Sequence, residues 1–158
     1  MTETVKKLTK NTHFRQGFFK AFCNHPEKYF GDLSKAFFRS GLELKFFKWL
    51  DSNPDVLQWN SEVQKVGYHC PVRGSDHVYI IDVYMKYKDS SGKIKESFIE
   101  VKPKAQTIKP DITKRGGKSR MKLFLLNCAK WQAAAKLAAK RGMDFKIITE
   151  EFFGTNVR

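Results

Sequence analysis

The sequence predicts an α/β fold in which helices flank a mixed central β-sheet. Residues 79–85 and 97–101 alternate in polarity and are rich in β-branched and aromatic side chains, as strands are. The turn-forming residues 88–93 between them predict an antiparallel hairpin. An amphipathic helical pattern over 121–141 and an apolar strand pattern over 145–149 follow. This strand–helix–strand order implies a crossover to a parallel strand, which makes the sheet mixed.

The predicted hairpin loop determines which residues face each other. Residues 90–92 fit a three-residue loop that ends in a left-handed glycine. That loop places Asp82 directly opposite Glu100, and opposed residues share a sheet face with Cβ atoms roughly 5 Å apart. Lys102 lies two residues beyond Glu100 and is therefore expected on the same face.

Two opposed carboxylates repel each other, so this pair requires a compensating charge. A divalent cation would supply it, since Mg²⁺ is commonly held by one or two carboxylates with water and phosphate oxygens. Lys102 could then orient or deprotonate a water, or stabilise charge on a phosphate, as metal-assisted phosphodiester hydrolysis needs. The alternative is a surface hairpin with a lysine–carboxylate network, because Glu-x-Lys is a common sequence.

Length and charge narrow the class of protein. The chain has 158 residues, which suits one domain with a real core, and a formal net charge of +14. Such a charge favours polyanionic partners, nucleic acid first and an anionic membrane second. No apolar run approaches the roughly 20 residues of a membrane span, and the N-terminus lacks the apolar segment of a signal peptide. The three widely spaced cysteines favour buried thiols in a reducing compartment.

A helical segment is predicted before the core. Phe14, Phe18 and Phe22 recur every four residues, which predicts a helix that begins near residue 12 and ends at Pro26. We therefore divide the chain into an N-terminal helical extension over 1–32 and a core over 33–158.

A second helix is predicted from Ser40 to Leu50, with Ser40 and Glu43 as its capping box. Glu43 also shares a helix face with apolar residues, so its carboxylate could instead point towards the hairpin, and the two interpretations are compatible. Strands are expected over 56–59 and 63–70, around a turn at 60–62. His77 precedes the strand of Asp82 and is either a metal or phosphate contact or an ordinary solvated histidine.

A basic segment leaves the second hairpin strand. Prolines and glycines within 103–120 predict a flexible loop without regular structure, and a loop that follows phosphates is favoured over a solvated charge run. The candidate DNA-binding residues are Lys104, Lys109, Lys114, Arg115, Lys118, Arg120 and Lys122.

The helix after this loop should bury one apolar stripe and end at the glycine of Arg141–Gly142. The residues of the predicted stripe are Met121, Phe124, Leu125, Cys128, Trp131, Ala135 and Ala138.

The order of these motifs resembles that of the PD-(D/E)XK nuclease superfamily. Glu43 on an early helix, then Asp82, then Glu100–Val101–Lys102, is followed by a helix and a strand. Residues 39–43 and 130–150 resemble the TnsA-type transposon endonucleases. Residues 20–150 as a whole are similar to the head-completion nucleases of T4-like phages. Ile81 stands where the superfamily's name has proline, a position that often varies.

The resemblance implies a restriction-endonuclease-like fold and a metal-dependent DNA endonuclease. It implies that Asp82, Glu100 and the Val101 carbonyl bind Mg²⁺, for which Mn²⁺ may substitute, and that Lys102 positions or activates the attacking water. Glu43 would complete the site through a second metal or a water. It further implies DNA and phage capsid or portal components as partners, no membrane, and a place in the host cytoplasm or with the virion.

Two classes of function remain after this step. One is the endonuclease, which would act in phage head completion and DNA packaging. The other is a non-catalytic DNA-binding or capsid-associated protein that retains a nuclease fold. The complete set of Glu43, Asp82, Glu100 and Lys102 favours the enzyme, because a binding protein has no need of a repulsive carboxylate pair.

Overall fold

The structure, a computed structural model, describes residues 15–154. It contains two compact units. The first comprises the described residues of Met1–Ser61 together with Met85–Lys95. The second comprises Glu62–Tyr84 together with the described residues of Glu96–Arg158.

Within the described residues, two α-helices and eight strands form the fold. The helices are α1 (Gly41–Ser52) and α2 (Gly117–Lys140). The strands are β1 (Gly17–Phe18), β2 (Phe37–Phe38), β3 (Val56–Ser61), β4 (Lys65–Cys70), β5 (Ser75–Ile80), β6 (Val83–Lys88), β7 (Ile94–Val101) and β8 (Asp144–Ile148). Short 3₁₀ turns lie at Phe19–Phe22, Pro26–Lys28, Leu33–Lys35, Lys104–Thr107 and Glu150–Phe153. None of the helices within 15–154 is long and apolar enough to cross a membrane.

The central sheet has four strands in the order β3-β6-β7-β8. β7 and β8 run parallel, with Ser97 opposite Asp144 and Val101 opposite Ile148. Two antiparallel ribbons, β1–β2 and β4–β5, accompany this sheet. The predicted mixed α/β fold is therefore confirmed.

The loop of the β6–β7 hairpin forms as the sequence predicts. The amide of Asp89 donates to the carbonyl of Lys93 at 2.8 Å, which leaves residues 90–92 as the loop. Gly92 has a φ of 82°, the left-handed conformation that glycine adopts without a steric cost. The Asp89 side chain accepts hydrogen bonds from Ser91 and Lys93 and holds the turn in place.

The prediction of one continuous strand over 79–85 is wrong, because two strands occupy this range. β5 ends at Ile80 and β6 begins at Val83, and Asp82 lies at a bend between them. β5 pairs with β4, whereas β6 lies in the central sheet. The chain therefore changes sheets at this point, which an alternating polarity pattern does not show.

The predicted helix through Phe18 and Phe22 is also wrong within the described residues. Gly17–Phe18 is β1 and Phe19–Phe22 is a 3₁₀ turn, while Phe14 lies outside the described part. Burial here alternates, with Gly17 and Phe19 buried and Phe18 exposed, as it does along a strand. The division into an extension over 1–32 and a core over 33–158 stays a prediction.

The cap of α1 matches its prediction. Ser40 is the N-cap, and its hydroxyl accepts a hydrogen bond from the Glu43 amide at 3.1 Å. The apolar side of the helix is buried through Leu44, Phe46, Phe47 and Leu50. The strand after it extends to Ser61, so the predicted turn at 60–62 is wrong in its position, and the positive φ of 55° falls at Glu62.

The C-terminus of α1 is held by the preceding connection. The Lys28 ammonium donates to the carbonyls of Leu50, Asp51 and Asn53 at 2.7, 2.9 and 2.7 Å. The buried Asp51 carboxylate accepts hydrogen bonds from the amides of residues 24 and 25 and from the Cys23 thiol. The Lys28 bonds satisfy carbonyls at the end of the helix, which have no partner within it, and the Asp51 bonds tie the helix to residues 23–25.

In the second unit, α2 packs on a core of Tyr79, Ile81 and Phe98 through Ala134 and Ala138. The predicted stripe is partly wrong, because Leu125 and Ala135 are exposed and Asn127 and Ala134 are buried instead. The C-terminus is as predicted, with Gly142 at a φ of 68° and its amide bonded to the Ala139 carbonyl.

The predicted irregular segment 103–120 is more ordered than expected. Lys104–Thr107 forms a 3₁₀ turn, and residues 117–120 belong to the first turn of α2. Gly117 explains how the loop and helix meet, because a Cβ there would overlap the Asp111 carbonyl oxygen and approach the Ile112 Cα to 2.8 Å. Glycine thus permits helix and loop backbones to come into direct contact.

Candidate active site

Asp82 lies at the point where the chain leaves β5 for β6. Its main-chain carbonyl accepts a hydrogen bond from the Glu62 amide at 3.0 Å. Its carboxylate accepts a hydrogen bond from the Val101 amide at 2.9 Å. Because Val101 is the last residue of β7, this bond ties Asp82 to the strand end that carries Glu100.

Glu100 is a buried carboxylate, and only 2% of its surface is exposed. One of its oxygens, Oε1, lies 3.0 Å from the Lys102 ammonium. The other, Oε2, accepts a hydrogen bond from the Tyr79 hydroxyl. A buried carboxylate needs such partners, because an unpaired charge in the interior is costly.

Tyr79 is a site residue that the sequence analysis missed. Its ring packs in the core of the second unit, and its hydroxyl reaches Glu100. Burial first, and then the charges of Glu100 and Asp82, raise the pKa of Tyr79 well above its usual value of 10. The phenol therefore remains a hydrogen-bond donor. An aromatic residue in a strand is ordinarily core, so its spacing in the sequence gives no sign of this contact.

The structure thus brings Asp82, Glu100 and Lys102 together at one end of β7. Within 15–154, no three carboxylate, histidine or cysteine side chains converge as a ready metal-binding cluster. Two carboxylates still fit a hard divalent cation such as Mg²⁺, which takes its remaining ligands from water and phosphate. The donor set of Asp82, Glu100 and a main-chain carbonyl is all oxygen, as that cation requires.

Glu43 acts in the cap of α1 in the first unit. Its Oε2 accepts a hydrogen bond from the Arg39 amide at 2.8 Å, one residue before the N-cap. The capping interpretation is therefore realised, with the amide of residue 39 in place of that of Ser40. Its assignment to the catalytic set stays a prediction.

All seven candidate DNA-binding residues are exposed and lie in the second unit, as Asp82 and Glu100 do. Lys104 differs from the others, because its amide bonds Glu150 and its ammonium pairs with Glu151. The Arg120 guanidinium donates to the Arg115 carbonyl at 2.9 Å and so ties the helix to the loop.

His77 lies in β5, the strand that ends just before the bend at Asp82. Its Nε2 is 2.9 Å from the Ser75 hydroxyl, and its ring lies 6.1 Å from that of Tyr68. These contacts fit an ordinary role in the β4–β5 ribbon.

Comparison with known proteins identifies the family of this chain. The family model of the TnsA-like endonuclease N-terminal domain matches residues 53–150, a range that holds Asp82, Glu100 and Lys102. The chain belongs to the TnsA-like endonuclease family. It is similar to the head completion nuclease of Enterobacteria phage T4, with 42% identity over 131 residues. That alignment covers 78% of this chain and 85% of the phage protein. The TnsA-like family is one of endonucleases, and divalent metals are general in the wider superfamily.

Proposed function

We propose that the chain is a divalent-metal-dependent DNA endonuclease that acts in phage head completion. The observation that supports it best is the placement of Asp82, Glu100 and Lys102 at one strand end in a chain of the TnsA-like family. The similarity to the phage T4 head completion nuclease supports head completion as the process in which the chain acts. Its place of action would then be the host cytoplasm during assembly.

In this proposal, Asp82 and Glu100 hold Mg²⁺ together with the Val101 carbonyl. A divalent cation held there would supply Lewis acidity at the scissile phosphate and would make water a better nucleophile. Tyr79 keeps the Oε2 atom of Glu100 in a fixed position, which restricts the carboxylate to one orientation. The Asp82 bond to the Val101 amide does the same for the second carboxylate.

Lys102 would orient the attacking water or bind a phosphate oxygen. Its ammonium is held 3.0 Å from Glu100 and its side chain is 27% exposed, so it is both positioned and accessible. The attacking water gives up a proton to solvent as its oxygen bonds phosphorus, the bond from phosphorus to the leaving oxygen breaks, and the leaving oxygen takes up a proton from solvent. A positioned acid–base group typically contributes about 10²–10⁴-fold to such a step.

Glu43 is proposed as a further member through the family resemblance, acting on a second metal or a water. Glu43→Gln retains an oxygen for the Arg39 amide and should keep the α1 cap, while it removes the negative charge. A fall in cleavage rate at unchanged thermal stability would support the catalytic role. Equal cleavage rates would restrict Glu43 to the cap.

The experiment that tests the function is a cleavage assay on linear, branched and single-stranded DNA, with Mg²⁺, with Mn²⁺ and with EDTA. We expect cleavage by the wild type with either metal, none with EDTA, and none by Asp82→Ala. Asp76→Ala is the matched control, because Asp76 is an exposed carboxylate on β5 that pairs with His69. Cleavage by Asp82→Ala at the wild-type rate would refute the site.

The basic segment is proposed to bind the DNA backbone beside this site. Neutralising four of its side chains should flatten the slope of log K against log salt, by up to about 0.9 for each phosphate that the variant no longer neutralises. The four residues are Lys114, Arg115, Lys118 and Arg120. A control of equal charge, which neutralises Lys35, Lys86, Lys88 and Lys93, separates local binding from net charge. An equal slope in the two variants would show that the segment does not contact DNA.

A further inference from the structure

The second unit has a groove between β4 and α2, and none of the proposed metal-binding or DNA-binding residues lines it. We name it the β4–α2 groove, and its volume is about 450 Å³. β4 lines one side with residues 66–69. α2 lines the other side with Ala129, Gln132, Ala133, Lys136, Leu137 and Lys140.

One face of β4 packs towards α2 and the other does not. Val66 and Tyr68 pack against the core that α2 helps to form. The His69 side chain lies on the opposite face, because side chains alternate along a strand, and its Nδ1 is 2.8 Å from the Asp76 carboxylate. Gly67 has no side chain at all. Gly67 and His69 therefore line the groove with their main chain.

The main chain of these two residues faces the free edge of β4. The Ile81 amide donates to the Gln64 carbonyl at 2.9 Å, and this pair continues the register of β4 with β5. Hydrogen-bonded pairs alternate with non-hydrogen-bonded pairs along an antiparallel ladder, so the even-numbered residues of β4 bond to β5. Gly67 and His69 direct their N–H and C=O groups away from β5. Within 15–154, β4 pairs with β5 alone, so these groups have no strand partner there.

This edge is open to solvent. Gly67 is exposed, and since a glycine has no side chain, the exposed atoms belong to its main chain. An exposed row of N–H and C=O groups is a template on which another strand can pair. Proteins use such edges to bind extended peptides, with main-chain hydrogen bonds for affinity and the side chains beside the edge for specificity.

The α2 side of the groove gives it length and charge. Its lining residues recur every three or four positions from Ala129 to Lys140, so they form one helix face that is roughly 16 Å long. That length suits about five residues of an extended chain. Ala133 and Leu137 are half-buried, whereas Lys136 and Lys140 are exposed. The ten residues that line the groove, all within the described part of the chain, include these two lysines and no acidic residue.

We propose that the β4–α2 groove binds an extended acidic segment of a partner protein, which adds to β4 as a further strand. The main chain of the segment pairs with that of Gly67 and His69. Its apolar side chains cover the half-buried Leu137, and its carboxylates pair with Lys136 and Lys140. Strand addition explains why the groove combines an open main-chain edge with a basic helix face.

The chemistry of the groove distinguishes this occupant from two others. DNA presents phosphate oxygens, which only accept hydrogen bonds, so the carbonyl groups on the β4 edge would repel them. A second copy of the chain, paired edge to edge through β4, would bring a like charge of +14 and the same two lysines to the groove. An acidic peptide strand offers both the donors and the negative charge. This binding goes beyond the proposed nuclease activity and does not depend on it.

The test is binding of a fluorescein-labelled peptide of about seven residues in which valine and glutamate alternate, measured by anisotropy. A second peptide with lysine in place of glutamate is the control for charge. We expect the wild type to bind the glutamate peptide about tenfold or more tightly than the lysine peptide, because the lysines of the groove attract one and repel the other.

Gly67→Pro tests the strand edge. A proline at this position has no N–H and places its ring on the free edge, while the hydrogen bonds from β4 to β5 remain. We expect this variant to lose binding of the glutamate peptide with an unchanged circular dichroism spectrum. Gly67→Ala is the matched control, because it keeps the N–H and its Cβ meets no atom within 4 Å, and it should bind the peptide as the wild type does.

Lys136→Glu/Lys140→Glu tests the charge of the groove, and both positions are exposed, so the fold should tolerate the change. We expect binding of the glutamate peptide to weaken about tenfold and binding of the lysine peptide to strengthen. The control of equal charge is Lys35→Glu/Lys93→Glu, at two exposed positions of the first unit. It should stay within about twofold of the wild type, because salt screens distant exposed charges.

Three outcomes would overturn the proposal. The first is that the folded wild type binds neither peptide, or binds both equally. The second is wild-type affinity for the glutamate peptide in Gly67→Pro, which would mean that net charge and not the strand edge holds the peptide. The third is a Lys136→Glu/Lys140→Glu variant that keeps its affinity for the glutamate peptide but loses affinity for blunt duplex DNA, which would assign these lysines to DNA. If Gly67→Pro does not fold, the two lysine variants decide the matter by themselves.

Discussion

Removing the Tyr79 hydroxyl tests whether that residue holds Glu100 in place. Tyr79→Phe keeps the ring in its core position, where it is 6% exposed, and deletes only the donor to Oε2. Glu100 is 2% exposed, so water cannot readily replace the missing hydrogen bond. A buried hydrogen bond to a charged group contributes about 1.5–3 kcal/mol. For a chain of 158 residues, about 2 kcal/mol corresponds to a fall in Tm of roughly 4–8 °C.

The assay is thermal unfolding in EDTA, which keeps both Glu100 oxygens on their protein partners. Tyr84→Phe is the matched control, because the Tyr84 hydroxyl also donates to a carboxylate, that of Glu96, at 2.9 Å. Glu96 is exposed, so water replaces that bond and the change in Tm should stay within about 1–2 °C. Equal shifts in the two variants would refute the argument that burial makes the Tyr79 bond stabilising.

Two further predictions concern backbone packing and thiol chemistry. Gly117→Ala should lower the free energy of unfolding by about 1–3 kcal/mol in urea titrations, because its Cβ has no room beside the Asp111–Ile112 backbone. Gly41→Ala, with open space around its Cβ, should be neutral or stabilising, and equal losses would contradict the packing argument. Burial, followed by the hydrogen bond and charge of Asp51, raises the pKa of Cys23 from 9.0 to about 11. At pH 9 only about one Cys23 thiol in a hundred should be ionised, so iodoacetamide should alkylate Cys23 slowly. Alkylation should be faster in Asp51→Asn, and mass spectrometry measures the labelled fraction over time. Rapid labelling of the folded wild type at pH 9 would contradict this cause.

The hairpin loop and the parallel crossover were predictable because local rules determine them. A three-residue loop ending in glycine has few geometries, and β7, α2 and β8 follow in an order that imposes a parallel pair. The β5–β6 break was not predictable, since the alternation of polar and apolar residues continues through Asp82 while the partner strand changes. Only non-local pairing shows such a change.

The face of α2 was mispredicted for a related reason. Residues 133–135 are all alanine, so the sequence offers no periodicity that distinguishes buried Ala134 from exposed Ala135. Burial of Asn127 in place of a neighbouring leucine likewise depends on what packs against the helix. The sequence placed Asp82, Glu100 and Lys102 near one another, and the structure does so too, while their catalytic roles stay a prediction. The Tyr79 contact could not be predicted, because it joins two strands of different sheets.

The central claim is that Asp82 and Glu100 bind the metal and that Lys102 acts in the reaction without binding it. Isothermal titration calorimetry with Mn²⁺ in the absence of DNA tests this division of roles most directly. We predict that Asp82→Ala and Glu100→Ala abolish binding, because each removes a carboxylate ligand. Lys102→Ala should bind Mn²⁺ at least as tightly as the wild type, since it removes a cation 3.0 Å from Glu100, and yet it should cleave DNA about 10²–10⁴-fold more slowly. Mn²⁺ binding at wild-type affinity by either carboxylate variant, or no Mn²⁺ binding by Lys102→Ala, would contradict this division of roles.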